Sequence, residues 1–184
     1  MTFRNTGSDK HMKIIRAAGD QYEAVRGFYH SMIDAMAGST VYVGWKKDIY
    51  PAPEFLKNAI ENGELYLALE GDTIVAAMVF NHDCNESYAN YRWQTEAELS
   101  EVMVIHALGV HPAYSGKGYA KALVRKAIEL AREGGIKAIR LDVLEGNTPA
   151  EQLYLGFGFQ YMTTLRMYYE DTGWTNFRLY ELVL

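Results

Sequence analysis

The sequence predicts an α+β domain built on a mixed, mostly antiparallel sheet flanked by helices. Two β-rich runs meet at the two-residue turn Gly71-Asp72, which is typical of a β-hairpin. A long amphipathic stretch separates two apolar runs, 100–110 and 137–144, so a helix is expected to connect two strands there. Such a crossover connects two parallel strands of one sheet and is right-handed, so a parallel pair is expected in the sheet.

The first half of the chain predicts one strand, two helices and the hairpin. Apolar residues recur at spacings of three and four between residues 21 and 37, which is typical of an amphipathic helix. A shorter helix is expected between Pro53 and the end signal Asn62-Gly63. The first strand is predicted at 13–16, and the arms of the hairpin at 64–70 and 73–82.

The second half predicts one long irregular segment and then alternating strands and helices. Residues 83–98 are polar and without periodicity, and such loops often carry function. The apolar run 100–110 is typical of a central strand that is buried on both faces. The remaining elements are expected to be a helix at 116–133, a strand at 137–144, a helix at 148–155 and strands at 159–169 and 176–184.

Length and composition favour a single folded domain. The chain has 184 residues, of which 49% are hydrophobic and 22% charged. We expect a flexible N-terminal lead-in at residues 1–11 and one domain at residues 12–184. No apolar run reaches the roughly 18 residues that a membrane-spanning helix needs, so no membrane partner is expected.

Charge and cysteine content narrow the range of partners and compartments. The net charge of −5 argues against binding of nucleic acid through a basic surface. Cys84 is the only cysteine and cannot form an internal disulfide, which indicates a reducing cytoplasm. The five histidines show no metal-ligand spacing, so no metal site is expected.

The segment 108–120 predicts a turn that binds an anion. An apolar strand ends there, Pro112 turns the chain, and Gly116 and Gly118 open the long helix. Glycines let a ligand approach the backbone closely, and the free N–H groups at a helix start favour an anion. A tight turn without a ligand is the alternative. Gly109, inside the strand, indicates a bulge or a close backbone approach.

Basic residues cluster on the helix that follows this turn. Lys117, Lys121 and Arg125 are four residues apart and share one face, either as a second phosphate contact or as a solvated surface. Residues 111–132 contain five Lys or Arg and one Glu, a net charge of +4, which leaves −9 for the rest of the chain. A small polyphosphate cofactor fits the positive charge of residues 111–132, and the acidic remainder of the chain can favour a cationic amine.

Two motifs lie on either side of the predicted strand 137–144. The first is Val110-x-Pro112-x-Tyr114-Ser-Gly-Lys-Gly-Tyr-Ala120, and the second is Asn147-x-x-Ala150 followed by Leu153-Tyr154-x-x-x-Gly158-Phe159. With the order of elements across nearly the whole chain, these motifs resemble the GNAT superfamily of acyl-CoA-dependent N-acetyltransferases. The resemblance implies the GNAT fold, acetyl-CoA as cofactor, and direct attack of a primary amine on the acetyl group in a ternary complex.

The resemblance also implies which residues bind acetyl-CoA. In that family the turn binds the pyrophosphate through backbone amides, in the pattern Arg or Gln, two residues, Gly, one residue, Gly or Ala. Gly118 and Ala120 match this pattern, and Ser115 stands where the family has Arg or Gln. Asn147 matches the residue that helps to hold the pantetheine arm, and a backbone N–H near 108–110 would bind the thioester carbonyl. The cofactor-binding residues implied are Leu108, Val110, Ser115, Gly116, Lys117, Gly118, Tyr119, Ala120, Asn147 and Ala150.

Three residues are candidates for catalytic groups. By the resemblance, Tyr154 protonates the departing coenzyme A thiolate. His106 is the first candidate for a base because its ordinary pKa lies near working pH, and Glu101 is the second. A hydrogen-bonded core histidine and an edge charge are the alternatives. Strand alternation predicts that His106 and Leu108 share one face. Cys84 has no adjacent cation to lower its pKa, so direct attack is favoured over a covalent acyl intermediate.

The acceptor pocket is expected among aromatic residues of the first two helices, the segment after the third strand and the last hairpin. The aromatic candidates, for which a place in the core is the alternative, are Tyr29, Tyr42, Trp45, Tyr91, Trp93, Tyr169 and Trp174. Of these, Tyr91, Trp93 and Trp174 are expected to be exposed. The acidic residues that could attract a cationic amine, or form a solvated face, are Glu96, Glu98, Glu170 and Asp171.

Two other functions stay open beside the enzyme. A non-catalytic acyl-CoA-binding sensor or interaction domain would keep the turn without cleaving the thioester. A structural domain would dimerise through the apolar end strand 178–184 and bind no cofactor. The presence of both Asn147 and Tyr154 favours the enzyme, with a small-molecule or peptide amine as acceptor and a homodimer as the candidate assembly.

Overall fold

The computed structural model describes residues 12–40 and 43–184. The predicted lead-in at 1–11 and the pocket candidate Tyr42 lie outside these residues. The described part forms seven strands and four α-helices in the predicted order. The elements are β1 (Met12–Arg16), α1 (Tyr22–Met36), α2 (Pro53–Glu61), β2 (Leu65–Glu70), β3 (Thr73–Asn81), β4 (Val102–Val110), α3 (Tyr119–Glu133), β5 (Ala138–Leu144), α4 (Thr148–Gly156), β6 (Gln160–Tyr169) and β7 (Gly173–Val183).

The strands form one mixed sheet in the order β1-β2-β3-β4-β5-β7-β6. The hairpin β2–β3 is antiparallel and β4–β5 is parallel, which confirms the predicted hairpin and the predicted crossover through α3. Strand β7 lies between β5 and β6 and is hydrogen-bonded to both. Because both its edges are occupied, the idea that 178–184 pairs with a second chain is wrong.

The two central strands separate part-way along their length. The register of β4 with β5 runs from Val102↔Ala138 to Val104↔Arg140 and then stops. On its other side, β4 remains paired with β3 as far as Val110. The second half of β4 therefore faces a gap where a strand neighbour would otherwise lie.

A bulge interrupts β4 within the part that faces this gap. Gly109 pairs with Ala77 and His106 with Val79, so β4 uses three steps where β3 uses two. Ala107 takes up the extra residue with a φ of 49°, which is uncommon outside glycine.

The bulge changes which side chains share a face. The His106 ring contacts the Phe55 ring of α2 at a centroid distance of 6.0 Å, whereas Leu108 packs with the cluster under α3. The prediction that His106 and Leu108 share a face is therefore wrong, because simple alternation fails across the extra residue.

Helices cover both faces of the sheet. Leu123, Val124 and Ala127 of α3 pack into one buried cluster with Tyr154 of α4. On the opposite face, α1 and α2 form a second cluster around residues such as Met32. Gly109 allows this packing, since a methyl group there would lie 2.6 Å from Met32 Sδ. The predicted close backbone approach at Gly109 is thus confirmed.

The irregular segment 83–98 folds back onto the sheet instead of extending into solvent. Trp93 is only 9% exposed, its indole N–H donates to the Tyr88 carbonyl at 3.0 Å, and the Arg140 guanidinium lies 4.5 Å from its ring centroid. The expectation that Trp93 is exposed is wrong because Arg140, which packs on its ring, comes from a distant part of the chain. Within residues 12–40 and 43–184, no helix has the length and apolar character needed to cross a membrane.

Candidate active site

A cleft of about 620 Å³ opens at the gap beside β4. Its walls come from the end of β4, the turn that follows it, the first residues of α3 and one side of α4. All of the predicted cofactor-binding residues except Lys117 line it, namely Leu108, Val110, Ser115, Gly116, Gly118, Tyr119, Ala120, Asn147 and Ala150.

The turn before α3 presents backbone donors to this cleft. Gly116 and Gly118 have φ angles of 77° and 86°, and no heavy atom would lie within 4 Å of a methyl group at either position. The left-handed backbone, and not crowding, therefore requires glycine here. The first helical hydrogen bond runs from the Ala122 N–H to the Gly118 carbonyl at 3.0 Å. The amides that precede it suit an anion such as a pyrophosphate.

The three basic residues near the turn have different environments. Lys121 lines the cleft. The Lys117 ammonium lies 4.9 Å from the Tyr114 ring centroid and 3.8 Å from a Glu70 carboxylate oxygen. The Arg125 guanidinium lies 5.9 Å from the Phe157 ring centroid. Among these three residues, Lys121 is thus the one placed to meet a phosphate in the cleft.

Helix α4 is anchored at its start by Asn147. The Asn147 side-chain oxygen accepts the Ala150 N–H at 3.4 Å, and Pro149 occupies the first turn, so the predicted cap is confirmed. Tyr154 follows two helical turns later, with its ring 5.4 Å from that of Phe159. The cap therefore fixes the direction in which α4 places Tyr154.

A smaller cavity of about 110 Å³, the chamber, adjoins the cleft. It lies among β4, β5, the loop at 43–50 and the turn between β6 and β7. The residues that line both cavities are Val43, Trp45, Leu108, Asn147, Ala150 and Tyr154. Tyr154 therefore lies where a cofactor in the cleft would meet an acceptor in the chamber.

The phenol of Tyr154 is held in its protonated form. Burial raises its pKa above the ordinary value of 10, and the nearby negative charge of Asp142 raises it further. At neutral pH the hydroxyl is consequently a hydrogen-bond donor, as a group that stabilises a leaving thiolate must be.

Asp142 of β5 is a site residue that the sequence analysis missed. Its Oδ2 accepts hydrogen bonds from the hydroxyls of Tyr88 at 2.6 Å and Tyr169 at 2.9 Å. Burial raises the pKa of the Asp142 carboxyl, and the two phenols partly oppose the rise. A carboxylate inside a largely buried strand was the available signal, since such a charge needs partners.

The chamber is covered by the loop at 43–50 and the turn between β6 and β7. Gly44 is buried with a φ of 81°, and a methyl group there would collide with Thr172 Cγ2. The rings of Tyr50 and Tyr169 lie 6.2 Å apart, and both line the chamber. Asp171, 5% exposed, completes this wall.

His106 also lines the chamber. Its side chain and that of Leu108 lie on opposite faces of β4, whereas the sequence predicted that they share one face. Burial lowers its pKa to about 4, and a hydrogen bond to the backbone of Asp83 partly opposes this fall. Nε2 is buried and has no hydrogen-bond partner within residues 12–40 and 43–184. At neutral pH the ring is therefore uncharged and offers an unused acceptor atom.

The structure does not bring Glu101 or Cys84 to either cavity. The Glu101 carboxylate pairs with the Lys137 ammonium at 2.8 Å, and that hydrogen bond lowers its pKa. Burial raises the pKa of the Cys84 thiol, which disfavours a thiolate nucleophile. Within the described residues, no three His, Cys, Asp or Glu side chains are grouped as a metal ion would require.

The predicted aromatic and acidic pocket residues divide into two groups. Trp45, Tyr169 and Asp171 line the chamber. Tyr29 is buried under β4, where its hydroxyl donates to the Ala107 carbonyl at 2.7 Å. Trp174 is 64% exposed, as predicted. The other candidates that line neither cavity are Tyr91, Trp93, Glu96, Glu98 and Glu170.

Sequence comparisons identify relatives of this chain. The model of the acetyltransferase (GNAT) family matches residues 29–159. The N-alpha-acetyltransferase RimI of Mycobacterium tuberculosis is 39% identical over 69 residues, which are 38% of this chain and 42% of that protein. The thialysine N-epsilon-acetyltransferase of Bos taurus is 30% identical over 95 residues, 52% of each chain. The chain thus matches only about half or less of these curated relatives.

Structural comparisons extend over nearly the whole chain. A GNAT-family acetyltransferase from Streptococcus agalactiae has a TM-score of 0.76 at 18% identity and covers 94% of this chain and 95% of its own. The protein yncA from Salmonella typhimurium, solved with its cofactor acetyl-CoA, has a TM-score of 0.68 at 17% identity, with coverages of 95% and 94%. At these identities the likeness is one of fold.

Proposed function

Because the chain belongs to the acetyltransferase (GNAT) family, we propose that it transfers an acetyl group from acetyl-CoA to a primary amine. One observation supports this most strongly. Tyr154 lies where a cleft with a phosphate-binding turn meets a chamber that contains acidic residues. A cofactor site and an acceptor site that meet at a proton donor are what acetyl transfer in a ternary complex requires.

The cleft would hold acetyl-CoA along its length. The amides at the start of α3, with Gly118 and Ala120, would bind the pyrophosphate, and Lys121 would add a charge-assisted contact. Asn147 would contact the pantetheine arm. The second half of β4, which has no strand neighbour on the β5 side, would offer backbone N–H groups to the thioester carbonyl.

The reaction moves one acetyl group and releases one proton overall. An alkylammonium ion first loses a proton to water, and its nitrogen lone pair then attacks the thioester carbon. The bond from that carbon to sulfur breaks, and Tyr154 donates its hydroxyl proton to the thiolate. His106 Nε2 is positioned as an acceptor for the second proton, which leaves the positively charged nitrogen after attack. Transfer of this proton from His106 to the Tyr154 phenolate restores both residues, so that one proton is released overall. The products are the N-acetyl amine and coenzyme A.

The site favours this enzyme over a sensor that binds acyl-CoA without turnover. A sensor needs the cleft and has no use for a chamber with buried carboxyls beyond Tyr154. Thermal denaturation with and without acetyl-CoA, followed by a thiol-release assay over a panel of amines, separates the two. Stabilisation with thiol release supports the enzyme, stabilisation alone supports the sensor, and absence of both contradicts the proposal.

Location and assembly are further proposals that rest on the sequence and on exposed surface. A cytoplasmic location fits the single cysteine, and the net charge of −5 fits the absence of nucleic-acid and membrane partners. A homodimer fits β6, which ends the described sheet and exposes 51% of both Tyr161 and Tyr168. Light scattering that shows only monomers at high concentration would contradict the dimer.

A further inference from the structure

The chamber beside Tyr154 has an unbalanced charge. Its described lining includes the carboxyls of Asp142 and Asp171 but no Lys or Arg, and His106 is neutral at pH 7 because burial lowers its pKa to about 4. Burial raises the pKa of Asp171, and backbone hydrogen bonds and the charge of Lys46, which does not line the chamber, partly oppose the rise. A small cavity with carboxylates and no internal cation favours a positively charged occupant.

The hydrogen-bonding groups of the chamber also suit a cation with N–H donors. Among the described residues, His106 Nε2 is buried without a hydrogen-bond partner, and such an acceptor is unfavourable unless a donor reaches it. Asp142 Oδ2 is held by the hydroxyls of Tyr88 and Tyr169, which fixes the direction of the carboxylate. An ammonium group has three N–H donors and no acceptor, which matches a lining that offers an acceptor nitrogen and carboxylate oxygens.

The size and cover of the chamber limit the occupant to a small group. Its volume of about 110 Å³ lies below the roughly 300–1,000 Å³ of pockets that hold drug-sized ligands. The cover is packed closely, because Gly44 leaves no room for a methyl group beside Thr172 and the rings of Tyr50 and Tyr169 are 6.2 Å apart. A short aliphatic stem fits such a space better than a peptide segment does.

We propose that the chamber binds the acceptor as a small aliphatic primary ammonium ion, with Asp142 as its counter-charge and His106 Nε2 as a hydrogen-bond acceptor. This inference rests on the proposed function only in taking the bound amine to be the group that is acetylated. Binding itself requires no turnover. Asp142 is therefore the residue that sets acceptor specificity, whereas Tyr154 acts on the leaving group.

Calorimetric titration of the whole protein with propylammonium chloride tests the inference without any acetyl transfer. We expect propylammonium to bind the wild-type protein and the uncharged analogue 1-propanol not to bind. Asp142→Asn keeps an oxygen for the two phenols but removes the charge, and we expect it to weaken propylammonium binding by roughly 30-fold or more. Glu170→Gln is the matched control, since it removes a neighbouring exposed carboxylate outside the chamber and should leave binding unchanged.

Four results would overturn the inference. They are no binding of propylammonium, equal binding of 1-propanol, unchanged binding by a folded Asp142→Asn protein, and tighter binding of an alanine-initiated peptide than of propylammonium. If Asp142→Asn fails to fold, the affinities of the wild-type protein for propylammonium, 1-propanol and the peptide still test the inference. Acetyl-CoA is titrated separately: propylammonium binding without any binding of acetyl-CoA would support the chamber and contradict the proposed function. Acetyl-CoA turnover without propylammonium binding would support the proposed function and contradict binding of the amine in the chamber.

Discussion

Tyr154 is the one residue with a titratable side chain among the six that line both cavities. Substitution of Tyr154 by Phe keeps the ring that packs on Phe159 and removes the proton donor. We expect kcat to fall by roughly 100-fold or more, with little change in acetyl-CoA affinity. Steady-state kinetics and a binding titration check this, and a variant with an undiminished kcat would remove Tyr154 from the chemistry.

His106 makes the stability of the protein sensitive to acid. Its pKa is about 4 in the folded protein against an ordinary 6.5, so between these values the unfolded chain binds a proton that the folded chain does not. Stability is therefore lost as pH falls through this window. Between pH 7 and pH 4.5 we expect roughly 2–3 kcal/mol of the wild-type free energy of unfolding to depend on this residue.

The pH dependence of His106→Asn isolates that contribution. Asp142 and Asp171 have raised pKa values and act in the opposite direction, but they are present in both proteins. Urea denaturation at the two pH values should show a smaller loss for the variant than for the wild type. Equal losses would mean that His106 titrates normally in the folded protein.

At the level of elements, the turn before α3 offers a substitution with a close control. Gly118 and Gly71 both have positive φ angles, 86° and 63°, and both have open space around them. Alanine at either position should destabilise the fold by about 1–2 kcal/mol through backbone strain. Only Gly118→Ala should also weaken acetyl-CoA binding, because Gly118 lines the cleft and Gly71, in the β2–β3 turn, does not. Equal affinities of the two variants would contradict the placement of the cofactor.

The packing of α1 against β4 depends on Gly109. A methyl group at this position would lie 2.6 Å from Met32 Sδ and 3.1 Å from the Trp45 ring. We expect Gly109→Ala to cost about 1–3 kcal/mol of folding free energy by overpacking. The double variant with Met32→Ala should recover part of the loss that Gly109→Ala adds to Met32→Ala alone. Simple additivity of the two changes in thermal denaturation would argue against this contact.

The local sequence predicted where the helices, strands and turns lie. It predicted less well which side chains share a face of a strand. The hairpin at Gly71-Asp72, the Asn147 cap and the opening of α3 by glycines all follow from short-range rules, and the structure has them. The bulge at Ala107 gave no such signal, because alanine rarely adopts a φ of 49° and nothing in its neighbours requires it. That one residue decides whether His106 faces the chamber.

At the scale of the whole molecule, the missed features are those that join distant segments. Asp142 is 54 residues from Tyr88 and 27 from Tyr169, and β7 enters the sheet between two strands that precede it in the chain. Periodicity and turn signals do not encode such pairings. The cleft was largely predicted because its residues fall in two short motifs, whereas the chamber is assembled from five separate segments of the chain.

We propose that the chain forms an N-acetyl amine where the cleft and the chamber meet, beside Tyr154. The most direct test of this proposal is mass spectrometry of wild-type reactions that contain acetyl-CoA and a panel of short primary amines, with the free thiol measured in the same samples. We expect an N-acetyl product and coenzyme A in equal amounts for at least one short aliphatic amine. Binding of acetyl-CoA without an acetylated product from any amine would contradict it.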